Sequence, residues 1–319
     1  MTGKLTREVL ERLVFARTGA ANPDVLVGPR FGEDAAAVRV GDRTLIASTD
    51  PVSLAAGRIG TIAVAVATND VAAAGARPEF LLVTVLLPDP DVDLLDTITA
   101  DLDSEAERLG AAIVGGHTEA VAGLDRPLLS ITCLGTADRH VSTGGARPGD
   151  RVLLTKAAGI EATAVIATDF GDEFDLPDDL RAAAAGFFDD LSVLREATAL
   201  APLATAMHDP TEGGVLGGAV ELAAAAGARL DLDRHAIPVR EETRRACAAA
   251  SVDPLRVLGS GALLATVAPD DEGAALDALA EADVAGRVVG RVVDGPAEVR
   301  LDEERYAEPI RDDMYDLWD

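Results

Sequence analysis

The run IGTIAVAVATNDVAAAGA at residues 59–76 constrains the fold more than any other stretch. Its small apolar side chains suit a helix over roughly 59–75 that presses closely against a sheet and stops at Gly75, with Pro78 just beyond. Thr68, Asn69 and Asp70 interrupt it, and an ionised side chain is costly to bury without a partner. Either Asp70 turns outward or binds an arginine such as Arg58 or Arg77, or it belongs to a site.

Two other carboxylates bear on that choice. Asp34 in FGEDAAAV lies in a glycine-containing loop entering a strand, and Asp50 in ASTDPVS lies where the next strand ends. If those strands pair and the helix follows, Asp34, Asp50 and Asp70 converge on one rim. Carboxylates about 5 Å apart repel by roughly 3 kcal/mol per pair at an effective dielectric of 20, so such a rim needs a cation. Oxygen-only ligands suit Mg²⁺ or Ca²⁺, and Mg²⁺ commonly completes its shell with water and nucleotide phosphates. Asp42 in VGDRT reads as a plain turn residue, and Glu33 as either a member of the site or, preferably, a supporting group.

The rest of the chain alternates helices with strands. An opening helix is expected over 5–17, and AAAVRV and TLIAST read as strands joined at Gly41-Asp42. A strand at 80–87 and a helix at 91–109 follow, then AAIVGGHTEAV, with a glycine turn, and the strand LLSITCLGTA. TGGARPGDRVLLTKAAG marks a fresh start, which gives an N-terminal domain over 1–144 and a C-terminal domain over 145–319. In the second half helices are expected at 160–168, 180–198, 214–226 and 272–281, and strands near 228–232 and 261–267. The fold class is α/β (α+β), with helices and strand pairs mixed in both halves.

Composition narrows the partners. A 319-residue chain with 48% apolar residues can fill two cores. Its longest apolar stretch, FLLVTVLLP, is too short for a bilayer span, and MTGKLTREVL lacks the apolar region of a signal peptide, so a cytoplasmic protein is expected. The net charge of −27, from 55 acidic and 28 basic residues, repels nucleic acid and anionic lipid. Excess acid with lysine only at Lys4 and Lys156 suggests a halophilic surface, soluble in high salt. Cys133 and Cys247 lie far apart without metal-ligand spacing and read as reduced and structural.

Two further loops are ambiguous. In AMHDPTEGGVLGGAVELA, Thr211, Gly213 and Gly214 open a helix whose N–H groups can hold an anion, whereas Asp209 or Thr211 can equally cap it, and His208 lacks a second histidine at ligand spacing. In VGGHTEAV, Gly115 and Gly116 either form a strand-end turn, with His117 and Glu119 solvated, or admit a ligand close to the backbone. No P-loop, Rossmann, zinc-protease or nucleophile-elbow motif is present.

Taken in order, GEDAAAV, STDPV, IGTIAVAVATNDVAAAGARP, VTVLLP, GGHTE, ARPGDRVLLTKAAGIEAT and HDPTEGGVLGGAVELA resemble the aminoimidazole-ribonucleotide synthetase (PurM-like) superfamily over nearly the whole chain. Within it, the chain looks most like hydrogenase maturation factor HypE and archaeal AIR-synthase-related proteins. The resemblance implies a homodimer whose N-terminal strands form a shared barrel, a C-terminal α+β domain, and ATP with Mg²⁺ in the cleft. It places metal ligands at Asp34, Asp50, Asp70 and Asp209, catalytic roles at Asp70, Asp209 and His117, and nucleotide contacts at Asn69, Gly115, Gly116, Thr118, Thr211, Gly213 and Gly214 as well.

The implied reaction is phosphoryl transfer to an oxygen of a small-molecule acceptor. Lys156 either meets a phosphate or is a strand-end surface residue. HypE proteins carry the modified group on a C-terminal cysteine, whereas this sequence ends RDDMYDLWD, so their dehydration step is not expected here. The reactive N-terminal Cys and Lys of selenophosphate synthetases have no counterpart in the opening segment. A kinase resembling thiamine-monophosphate kinase, or a nucleotide-binding partner protein without turnover, are the alternatives.

Overall fold

The computed structural model describes residues 3–54 and 57–318. The chain opens with a short helix α1 (Arg7–Leu10) and a π-helical turn over Glu11–Phe15, neither with a buried residue. The helix expected over 5–17 is therefore shorter and lies on the surface. Strands β1 (Val25–Val27), β2 (Ala36–Val40) and β3 (Arg43–Val52) precede helix α2 (Ile59–Ala73), strand β4 (Arg77–Leu87), helix α3 (Val92–Leu109) and strands β5 (Ala112–Ala120) and β6 (Leu128–Ala137). These strands form one open sheet in the order β1-β2-β3-β6-β4-β5, antiparallel except for the parallel pair β4–β5.

The second sheet is built from β7 (Arg151–Thr155), β8 (Ala204–His208), β9 (Arg229–Leu232), β10 (Leu264–Val267), β11 (Gly286–Val293), β12 (Glu298–Leu301) and β13 (Glu304–Tyr306), in the order β13-β12-β9-β11-β7-β10-β8. Helices α4 (Ile160–Asp169), α5 (Asp178–Ala185), α6 (Leu194–Leu200), α7 (Gly214–Ala226), α8 (Glu241–Ala250) and α9 (Glu272–Glu281) complete this half. The single helix expected over 180–198 is divided: α5 gives way at Gly186 to a 3₁₀ turn, and α6 starts afresh at Leu194. The α/β (α+β) class with two units holds.

Helix α2 explains its own composition. Fourteen of its fifteen residues are buried. Val64, Ala67 and Val71 join the core against the first sheet; Ile62 and Ala65 pack with α4, and Ala72 and Ala73 with the cluster around α6 and β8. A helix enclosed on all sides has no polar face, which is why its residues are small and apolar throughout. Each buried Ile or Val contributes about 1.5–3 kcal/mol, which offsets the cost of carrying Thr68, Asn69 and Asp70 inside. Thr68 returns its hydroxyl to the carbonyls of Val64 and Ala65.

Candidate metal centre

Four chain segments meet at the C-terminal part of α2. Asp34 arrives from the loop before β2, Asp50 on β3, Asp70 on α2 and Asp209 directly after β8. Gly32 makes the Asp34 approach possible. Its φ is +84°, and a Cβ there would come within 2.8 Å of the Glu221 carbonyl, so the loop crosses α7 at backbone contact.

Carboxylate oxygens of Asp34, Asp70 and Asp209 lie within 4.8 Å of one another. Asp70 and Asp209 are 4% and 1% exposed, whereas Asp34 keeps 36% of its side chain open to the cleft. Both oxygens of Asp209 are buried without a hydrogen-bond partner among the described residues. The Ser48 hydroxyl lies 3.2 Å from Asp50 and is also hydrogen-bonded to Asp70, which links the fourth acid to the other three.

The electrostatics follow from this crowding. Burial, reinforced by the charges of Asp34 and Asp50, pushes the Asp209 carboxyl up to about 8. Burial and the charges of Asp50 and Asp209 raise Asp70 well above the carboxylate range. Asp34 rises too, through its enclosure and the charge of Glu221, although His208 and Lys4 hold it down. Without a cation, this cluster keeps protons it would otherwise lose at neutral pH.

A chain of alternating charge runs outward from Asp34. The buried His208 places Nδ1 3.2 Å from Asp34 and Nε2 3.0 Å from Glu221. Burial works against the imidazolium, but Asp34 and Glu221 outweigh it and raise His208 to about 9. Lys4 sits 2.9 Å from Glu212 and 3.7 Å from Glu221. Burial opposes the Glu221 charge, yet Lys4 and His208 hold its carboxyl down at about 2. A cavity of about 460 Å³ adjoins the cluster, with Lys4, Phe15, Phe31, Asp34, Ser48 and Glu221 in its walls.

Other residues singled out from the sequence have different duties. Asn69 does not face the cluster's cleft with a free amide: its nitrogen donates to the Leu191 carbonyl and its oxygen accepts from the Val193 N–H, both at 2.9 Å. It ties α2 to the second half. At the α7 N-terminus the Gly213 N–H donates to the buried Asp312 at 2.7 Å, and the Thr211 hydroxyl donates to Glu212 at 3.0 Å. A Cβ on Gly214 would come within 2.6 Å of the Val257 carbonyl, so backbone packing requires glycine there.

Gly115, Gly116, His117 and Thr118 lie in the middle of β5, not in a turn. A Cβ on Gly116 would come within 1.7 Å of the Val83 carbonyl, so the glycine permits the pairing with β4. Strands β6 and β4 separate β5 from β3 within the sheet, and His117 on the exposed edge pairs with Glu119 at 3.4 Å. Within one chain these residues do not join the aspartates. Lys156 is not a surface residue: its side chain is 9% exposed, pairs with Glu196 at 2.9 Å and donates to the Asp190 and Ser192 carbonyls.

Glu33 has the supporting part expected of it, since it accepts from Arg30, Ser142 and the Gly144 N–H. Cys133 and Cys247 are buried and unpaired. Sequence reading missed Ser48, Glu221 and the placement of Lys4. Only Ser48 left a signal, two residues before Asp50 on the same strand face.

Comparison with known proteins agrees with this architecture. Residues 32–137 match the model of the AIR synthase related protein N-terminal domain, and residues 147–302 that of its C-terminal domain. Carbamoyl dehydratase HypE of Rhizobium leguminosarum bv. viciae is 32% identical over 279 residues, spanning 82% of this chain and 78% of that protein. Hydrogenase maturation protein HypE in complex with ATP superposes with a TM-score of 0.72 at 24% identity, over 96% of this chain and 92% of the other. AaThiL complexed with AMPPCP and TMP superposes with a TM-score of 0.76 at 20% identity, over 96% and 99% of the two chains. With both halves matched in order and a HypE relative aligned along most of its length, the chain belongs to the AIR synthase-related, PurM-like family, close to HypE.

Proposed function

We propose that the chain is a Mg²⁺- and ATP-dependent enzyme that transfers a phosphoryl group to an oxygen of a small acceptor, working as a homodimer. The observation that carries the reading is Asp209, a fully buried carboxylate with no hydrogen-bond partner among the described residues, beside Asp70 and Asp34. A hard divalent cation suits that all-oxygen donor set and relieves its repulsion. The HypE relative solved with ATP supports the choice of nucleotide.

Asp34, Asp70 and Asp209 would hold Mg²⁺, with Asp50 fixed beside them by Ser48. Bound with ATP, the ion supplies neutralisation of phosphate charge, the main requirement of phosphoryl transfer. The chain's own residues position: His208 steadies Asp34, and α2 keeps Asp70 rigid between the two halves. The adjoining cavity of about 460 Å³ gives room for a small molecule next to Asp34.

Calorimetric titration of Mg–ATP into the natural protein, Asp70→Asn and Asp209→Asn tests this, with the exposed turn variant Asp42→Asn as control. Binding to the natural protein and Asp42→Asn, lost in the other two, is the expected result. Equal binding by all four would show that the aspartates are structural and would remove the basis of the proposal.

A further inference from the structure

His208 is a buried side chain with both ring nitrogens spent on carboxylates, Asp34 on one side and Glu221 on the other. Nε2 is hydrogen-bonded to Glu221 and Nδ1 forms an ion pair with Asp34, so the ring bridges the two carboxylates. Glu221 presents its other oxygen to Lys4 at 3.7 Å, and Lys4 also meets Glu212 at 2.9 Å. The contacts run in order from Lys4 of the N-terminal segment through Glu221 and His208 to Asp34, the most exposed acid of the cluster.

The N-terminal segment is seated to hold Lys4 there. Gly3 lies against the Tyr315 ring, where a Cβ would come within 2.8 Å, and the Arg7 guanidinium stands 4.9 Å from the centre of the Phe31 ring. Phe31 and Gly32 begin the loop that delivers Asp34. One segment therefore braces the Asp34 loop from outside and supplies the terminal charge of the chain that reaches it.

We infer that Lys4, Glu221 and His208 are positioning residues that fix the Asp34 carboxylate for cation binding, which makes the N-terminal segment part of the metal centre. The inference rests on the proposed metal site. Groups that orient a ligand from behind it typically account for 10–100-fold in metal affinity. If Lys4 only balanced nearby acid, its loss would alter stability and leave cation affinity unchanged.

Mn²⁺ alone is the probe, titrated into the full chain and followed by electron paramagnetic resonance. Glu221→Gln keeps the side-chain shape, and Lys4 is 48% exposed, so both variants test position without emptying the core. Affinity is expected to fall at least tenfold in Glu221→Gln, and severalfold in Lys4→Met with recovery in Lys4→Arg. The double variant should bind no more weakly than Glu221→Gln, because both changes cut one chain. Natural affinity in Glu221→Gln and Lys4→Met, with binding lost in Asp70→Asn, would overturn the inference and leave the metal site standing. A natural protein that binds no Mn²⁺ would overturn both.

Discussion

The Ser48 hydroxyl lies within hydrogen-bond reach of both Asp50 on β3 and Asp70 on α2, so one side chain on the strand contacts two acids of the centre. Ser48 is 5% exposed, and alanine removes only the hydroxyl oxygen. Ser48→Ala is expected to fold and to bind Mg²⁺ 10–100-fold more weakly, since Asp50 and Asp70 lose their shared orientation. Thermal melts at increasing Mg²⁺ measure this. At 100 times its dissociation constant the ion stabilises the natural protein by about 2.7 kcal/mol, and the variant's gain should appear only at correspondingly higher concentration.

Proton release should accompany metal binding. Asp209 titrates at about 8 in the folded chain, above the ordinary carboxylate value, so the folded state holds a proton that the unfolded chain has lost. Without metal, this group therefore makes stability fall as pH rises from about 4 to about 8. A cation requires the ionised form, so Mn²⁺ affinity should climb by up to tenfold per pH unit towards pH 8 and level off above about 9. Calorimetry in buffers of different ionisation enthalpy counts the protons. A flat affinity from pH 6 to 9 would contradict the assignment of Asp209 as a ligand.

The aspartates were legible in sequence because their residue type and their places at strand ends and within α2 carry the chemistry directly. Their supports were less legible. His208 meets Glu221 only because the end of β8 passes against Gly218 of α7, and Lys4 arrives from a surface segment without any periodicity that locates it. The resemblance placed Asn69 among the nucleotide contacts, yet successive helix residues point about 100° apart, and this neighbour of Asp70 is bonded to the other half. In the fold, β11 escaped notice because GRVVGRVV mixes glycine and arginine with its valines, and β12 and β13 are short strands around a turn at Asp302.

Asn69 supplies a second contrast. Replacing it with alanine strands a buried Val193 N–H and Leu191 carbonyl, at about 1–3 kcal/mol for each unmet group. Asn69→Ala should lose about 3 kcal/mol of stability in urea unfolding and keep its natural Mg–ATP affinity below the melting range. Normal stability with lost nucleotide binding would instead restore it as a nucleotide contact.

Salt dependence tests the reading of the acidic surface. With a net charge of −27, the compact state repels itself, and molar salt cuts that repulsion to a range of about 3 Å. The melting temperature is expected to rise steadily from low salt to molar KCl. The same temperature at both ends would show that the acid excess has no role in folding at high salt.

The first sheet has one covered face and one open face. Along β4, Leu81 and Val83 point into the core at 0% and 7% exposure, whereas Phe80 and Leu82 alternate with them and stand 44% and 42% exposed. At the edge, Ile113 and Val114 of β5 are 43% and 56% exposed. An apolar sheet face left in water favours association, and a second copy would cover it without any further protein. Light scattering should give twice the mass of the chain, and Phe80→Lys with Leu82→Glu should return it to one chain without unfolding, because neither side chain belongs to the core. Mass unchanged by the double substitution would place the contact elsewhere, and a natural protein of single-chain mass would exclude the dimer.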